Sequence, residues 1–164
     1  MGKNLVFYYS WLGNTKVIAE EISKLINADI RRIEEKKERK KGVGFGTAAL
    51  GAILGLKSRL KPLGFTLDGY SNIFLGVQVW AAHSAPAVNA FIGKSDFTGK
   101  RVYIFITKAD EKVPQKVIDS ISGRIVKRGG TVVDTLSITT RIDRVINNED
   151  VIKQVREWVG KHSL

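Results

Sequence analysis

Three short segments of the chain gather hydroxyls, glycine, amides and aromatic rings. The first, Ser10-Trp-Leu-Gly-Asn-Thr15, leads from a continuous apolar run straight into a segment with helical spacing. Two hydroxyls, a glycine that permits a tight turn and several amides at a helix start make a receptacle for a phosphate group, because the amide dipoles supply the positive end. Taken alone, the hexapeptide reads first as a helix capped by Ser10 or Asn14. It has neither the glycine spacing of a dinucleotide fingerprint nor that of a Walker loop. The second segment, Val79-Trp80-Ala-Ala-His-Ser-Ala-Pro86, puts a tryptophan at the end of a strand. There an indole serves equally as core packing or as a platform for a flat ligand. The third, Thr107-Lys-Ala-Asp-Glu-Lys112, has a hydroxyl and charges but no ring.

Other chemistries are excluded by composition. The chain has no cysteine, which removes disulfide scaffolds, thiolate metal clusters and thiol nucleophiles together. Two histidines, His83 and His162, leave little for a metal site, and no nucleophile with a neighbouring base or pair of carboxylates is evident. His83 reads as an exposed loop residue near the end of the third strand. His162 and Trp158 belong to the closing helix.

The three segments need elements to hold them, and the chain supplies strands and helices in alternation. Asn4 to Tyr9 reads as a strand buried on both faces, followed by a helix striped by Val17, Ile18, Ile22, Leu25 and Ile26. Asp29 to Ile33 is a shorter, charged strand suited to a sheet edge. A charged run and a helix from about Gly46 to Leu60 come next. The third strand is Ile73 to Trp80, the fourth Val102 to Thr107 and the fifth Thr131 to Leu136. Helices run from Pro86 to Ile92, from Pro114 to the Gly129-Gly130 stop, and along Val151, Ile152, Val155, Trp158 and Val159. Five strands each followed by a helix require right-handed crossovers and a parallel sheet covered on both faces. The expected fold is a three-layer, doubly wound α/β domain spanning residues 1–164, with ligands at the carboxyl ends of the strands. The 164 residues suffice for one sizeable core. With no signal-peptide pattern and no apolar stretch of about 18 residues, the expected location is the cytoplasm.

At this point the residues resemble a known family. Tyr8-Tyr-Ser-Trp-Leu-Gly-Asn-Thr-Lys-Val-Ile-Ala19, together with Gly76-Val-Gln-Val-Trp80 and Ala85-Pro86, resembles the flavodoxin-like proteins over essentially the whole chain. The first stretch is similar to their FMN-phosphate loop, and the second to their Gly-x-Pro-Val-Trp strand end. The resemblance implies the strand order 2-1-3-4-5 and FMN as cofactor. It implies that Ser10 and Thr15 bind the phosphate through their hydroxyls and that the backbone of Trp11, Leu12, Gly13, Asn14 and Thr15 donates to it. It further implies that Gln78, Val79, Trp80, Ala81 and Ala82, with Thr107, Lys108, Ala109 and Asp110, line the flavin ring. Leu12 stands where the family has a hydroxyl, and the loss of one such bond to a charged group costs about 1.5–3 kcal/mol. Gln78 replaces a proline, and the third loop lacks the family's second ring.

Typical flavodoxins are acidic, whereas this chain has 27 Lys and Arg against 16 Asp and Glu, net +11, with a pI near 10.0. The excess is local. Residues 31–61 hold ten basic residues (Arg31, Arg32, Lys36, Lys37, Arg39, Lys40, Lys41, Lys57, Arg59, Lys61) against Glu34, Glu35 and Glu38, or +7. Within that stretch Gly44-Phe-Gly46-Thr-Ala-Ala49 fits a nicotinamide-dinucleotide pattern but follows charge rather than a strand. Gly51-Ala-Ile-Leu-Gly55 fits a membrane-helix pairing motif in a stretch too short to span. A helix with Phe45, Ala49, Ile53, Leu56 and Leu60 on one face and Leu50 and Leu54 on another is apolar nearly all round and needs cover on two sides. The chain's own loops, a second copy, a redox partner or an anionic membrane surface would serve.

The first functional expectation is an FMN-binding electron carrier acting on an acidic redox partner. The second is an FMN-dependent NAD(P)H or quinone oxidoreductase, which the ring-free third loop favours through an accessible flavin face. The third is a flavin-free module binding through its basic segment. Base-stacking aromatics are not interleaved with those charges, which disfavours nucleic acid.

Overall fold

The computed structural model describes residues 2–37, 57–64, 66–141, 143–146 and 148–162. Among them the elements are β1 (Lys3–Tyr8), α1 (Asn14–Leu25), β2 (Asp29–Arg32), β3 (Tyr70–Trp80), β4 (His83–Ser84), α2 (Pro86–Lys94), β5 (Arg101–Lys108), α3 (Gln115–Val126), β6 (Thr131–Thr139) and α4 (Glu149–Gly160). Five strands pair in parallel in the order β2-β1-β3-β5-β6, and β4 adds antiparallel to the end of β3. Counted along the five long strands this is 2-1-3-4-5, with the charged β2 at one edge.

Alternation along the inner strands divides the core in two. Leu5, Phe7, Ile73, Leu75, Val77, Val102, Ile104 and Ile106 face a cluster completed by Val88 and Phe91 of α2 and Val117, Ile121 and Ile125 of α3. Val6, Tyr8, Phe74, Tyr103 and Phe105 face Ile18 and Ile22 of α1 and Val155, Trp158 and Val159 of α4. The three layers follow, since a parallel sheet must bury both faces. Rings fill the second side: Phe74 and Tyr103 stack at 4.6 Å, and Trp158 meets both edge-on. Gly76 makes that packing fit, because a Cβ there would stand 2.5 Å from the Phe105 ring and 2.8 Å from the Tyr8 Cβ.

Several boundaries differ from expectation. β3 starts at Tyr70 and β6 continues to Thr139, because pairing with β1 and with β5 extends a strand beyond its apolar run. β2 stops at Arg32, although the Ile33 amide still donates to the Tyr8 carbonyl at 2.7 Å. The helix expected to reach Leu60 is not continued at residues 57–60. Leu60 instead forms an antiparallel bridge with Glu35, flanked by Lys36 N donating to Arg59 O and Lys61 N to Glu34 O. Leu60 is buried there, and the buried Glu35 carboxylate accepts from Tyr9 at 2.8 Å and from the Ser58 hydroxyl. The remainder of that expected helix, and both glycine motifs within it, lie outside the described residues. Among the described residues no helix is long and apolar enough to cross a membrane.

Candidate functional site

The connection after β1 enters α1 on one face of the sheet, and the connection after β3 enters α2 on the other. The carboxyl ends of these adjacent strands therefore bound a crevice at the topological switch point. The segments singled out in the sequence meet there.

In the first loop the chain reverses at Gly13, whose φ of +104° disfavours any L side chain. Gly13 occupies the N-cap position of α1 and supplies no side-chain cap, and the first turn carries no acidic residue. The positive end of the helix dipole is thus met by neither a capping side chain nor a carboxylate of the first turn. The buried Ser10 hydroxyl accepts from Gly13 N at 3.1 Å, and Trp11 N donates to Gln78 Oε1 at 3.0 Å, joining the first loop to β3. Arg32 of β2 donates to the Ser10 carbonyl at 3.2 Å, setting a guanidinium beside the loop. Neither Ser10 nor Asn14 caps α1. Ser10 turns back onto its own loop, and Asn14 is the first helical residue.

Asn14 and Thr15 point inward. Asn14 is buried; its amide donates to the Arg141 carbonyl at 2.8 Å and its carbonyl accepts from Ile146 N at 2.7 Å. The connection between β6 and α4 is thereby clamped over the first loop, with Val145 Cγ2 3.1 Å from where a Gly13 Cβ would be. Thr15 is fully buried, its hydroxyl 2.8 Å from that of Thr107 at the end of β5.

The second segment is a hairpin rather than an open loop. Trp80 pairs with His83 across Ala81 and Ala82, which have φ of 45° and 59°. Two consecutive left-handed residues match the type I′ turn that joins tight hairpins, here without the usual asparagine or glycine. His83, expected in a loop, is the exposed first residue of β4. Trp80 is 4% exposed and lies edge-on to Tyr9 at 5.7 Å and to Trp11 at 5.6 Å. Its ring belongs to the core, and the half-buried Trp11 is the ring that this pair presents outward. Gln78 and Val79 are half-buried, and Ala81 and Ala82 are exposed.

In the third segment Thr107 and Lys108 are buried, while Ala109 and Asp110 are exposed. The Lys108 ammonium donates to the carbonyls of Asp110 at 2.6 Å and Glu111 at 3.1 Å and to the Thr139 hydroxyl at 2.8 Å. The Asp110 carboxylate accepts from Lys112 N, closing the turn. Among the described residues no group of acidic and histidine side chains could hold a metal ion.

Sequence inspection missed the Trp11 ring, the Arg32 guanidinium and the clamp from residues 141–146. A tryptophan beside a helix-start glycine was a usable signal for the first. The clamp joins residues 127 and 132 apart in the chain and leaves no local pattern.

No family model matches the sequence, and no significant match is found among curated proteins. Solved structures do match. A candidate flavoprotein from Bacteroides uniformis superposes with a TM-score of 0.76 at 19% identity, covering 97% of this chain and 98% of that one. A flavoprotein from Lactobacillus acidophilus in complex with FMN gives 0.67 at 21% identity, covering 84% and 93%. Oxidised flavodoxin 2 from Bacillus cereus gives 0.61 at 20% identity, covering 96% and 94%. With the strand order and the two-sided core, this likeness establishes that the chain has the flavodoxin-like fold.

Proposed function

We propose that the chain binds FMN at the β1–β3 crevice and passes electrons to an acidic partner protein. The observation that carries this is the glycine-turned, uncapped start of α1 at the switch point, a cradle whose floor a Cβ at Gly13 would press against Val145. The residues present fit the phosphate: Ser10 keeps its hydroxyl proton while accepting from Gly13, the amides of Asn14 and Thr15 lie in the first turn of α1, and that of Leu12 lies in the loop just before the cap. Thr15 retains a proton to give if Thr107 donates within their pair. Trp11 N and Gly13 N are engaged within the fold, so these two of the expected backbone donors serve the loop itself. The ring would lie along Gln78 to Ala82 and Thr107 to Asp110, with Trp11 and Trp80 at its side. Bound FMN supplies the redox chemistry, and the protein supplies binding and electrostatics.

The net charge of +11 supports an acidic partner through electrostatic steering. Exposed charges are screened over about 10 Å at 0.1 M salt. Electron transfer to such a partner should therefore slow as salt rises, and replacing Lys36, Lys37, Lys40 and Lys41 with glutamine should reproduce that slowing at low salt.

The deciding experiment is a titration of flavin-free protein with FMN and with riboflavin, read by flavin absorbance and fluorescence. Binding of FMN tighter than riboflavin is expected, and absence of binding to either overturns the reading. The ring-free, exposed Ala109–Asp110 turn favours one second reading, an FMN-dependent NAD(P)H or quinone reductase. Steady-state oxidation of NAD(P)H by the FMN-loaded protein separates a turnover enzyme from a carrier.

A further inference from the structure

Lysine is almost never fully buried without a compensating partner, because its ammonium loses water's hydrogen bonds and its charge loses water's screening. Lys108 is 5% exposed at the carboxyl end of β5. Its three protons are matched by three acceptors, the Asp110 and Glu111 carbonyls and the Thr139 hydroxyl. The hydrogen bonding is complete, yet all three acceptors are neutral. Two of them belong to the turn after β5 and the third to β6, so the ammonium straps that turn to the neighbouring strand. Next to it, Thr107 touches Thr15 in the first turn of α1. The cation therefore stands at the strand-end edge that the proposed ring site shares.

We propose that Lys108 is a positioning residue for the flavin: it holds the turn at 109–111 in the shape that receives the ring and places a buried positive charge beside it. This rests on the FMN reading. A negative charge gained by the ring would offset the ammonium, whose three bonded acceptors are all neutral, so the charge makes reduction of the bound flavin easier. Being buried, it acts nearly independently of ionic strength, unlike the exposed Lys36, Lys37, Lys57 and Lys61.

The test uses the full chain and two kinds of variant. Lys108→Met removes the charge and the strap; Thr139→Val keeps the charge and removes one acceptor. In flavin-free protein, hydrogen exchange of the Lys112 amide, which is bonded to the Asp110 carboxylate across the turn, should quicken at least about tenfold in Lys108→Met, the loss of one charge-assisted bond being worth that factor or more. FMN and riboflavin should weaken by the same factor, because the phosphate loop is untouched. The midpoint potential of bound FMN should become more negative in Lys108→Met by the same amount at low and at high salt, and should move less in Thr139→Val. Should the methionine variant not fold, Lys108→Gln, which keeps a donor but loses the charge, takes its place. An unchanged potential, or a shift that vanishes at high salt, overturns the proposal while leaving FMN binding intact. A parent protein that binds neither flavin overturns the FMN reading itself, and this inference with it.

Discussion

The hydroxyls of Thr15 and Thr107 lie 2.8 Å apart in the interior, joining the first turn of α1 to the penultimate residue of β5 across 92 residues of chain. This pair ties the proposed phosphate loop to the strand end on which the ring is proposed to rest. Thr15→Val leaves the Thr107 hydroxyl buried with its partner removed, at a cost of about 1–3 kcal/mol. Urea unfolding of the flavin-free protein should show that loss, and the double variant Thr15→Val, Thr107→Val should recover part of it, since both polar partners are then gone. FMN should weaken more than riboflavin in both variants. Equal weakening of the two ligands would place the phosphate elsewhere.

Asn14 uses both ends of its amide to hold the connection after β6. Asn14→Ala removes its bonds to the Arg141 and Arg144 carbonyls and to Ile146 N, the two short ones being worth about 1 kcal/mol each. Hydrogen exchange at Ile146 should accelerate, while amides in the middle of β5 keep their protection. Exchange at Ile146 equal to the parent's would show that the clamp is not formed in solution.

Trp80 packs in the core against Tyr9 and Trp11, so Trp80→Ala should cost about 3–5 kcal/mol and Trp80→Phe considerably less. Phenylalanine therefore serves as the probe of flavin contact. Flavin bound to the parent should be dim and should brighten in Trp80→Phe. A parent whose bound flavin is already bright, unchanged in the variant, rules out contact between indole and ring.

Gly76→Ala forces a methyl against the Phe105 ring and the Tyr8 Cβ. Such overpacking costs about 1–3 kcal/mol. The urea midpoint should fall with the slope unchanged, and Gly76→Ala should cost less in a Phe105→Leu background than in the parent, because the contact with the ring is relieved while that with the Tyr8 Cβ remains.

Glu34 is solvent-exposed, and the Lys61 ammonium bonded to it holds its carboxyl below the ordinary glutamate value. A folded-state value below the unfolded one gives a contribution fully present above the ordinary glutamate range and lost as pH falls through the lowered value. The pairing of residues 34–36 with 59–61 should therefore loosen in acid. Exchange at the Lys61 amide, corrected for its intrinsic rate, should gain protection as pH rises from the lowered value toward 4.5, the ordinary glutamate value, and level off above it. Glu34→Gln should flatten that dependence, and salt should weaken it.

How much was legible in the sequence follows from the range of the interactions involved. The continuous apolar run from Asn4 to Tyr9, the stripe through Ile18 and Ile22 and the turn at Gly13 are local, and each shows in a window of ten residues because strand and helix periodicities and a left-handed glycine need nothing farther away. From these came the layered sheet and the loop at its strand ends, while the strand order came from the resemblance to the flavodoxin-like proteins. The tertiary structure alone decided that Trp80 is a core ring and Trp11 the outward one, that Asn14 clamps residues 141–146, that Ala81 and Ala82 turn a hairpin, and that Lys108 is buried with three neutral acceptors. Each of these depends on partners brought close by the fold, some from more than a hundred residues away, and the free energy that places a polar side chain there lies in the partner it finds. A local window contains no trace of that partner.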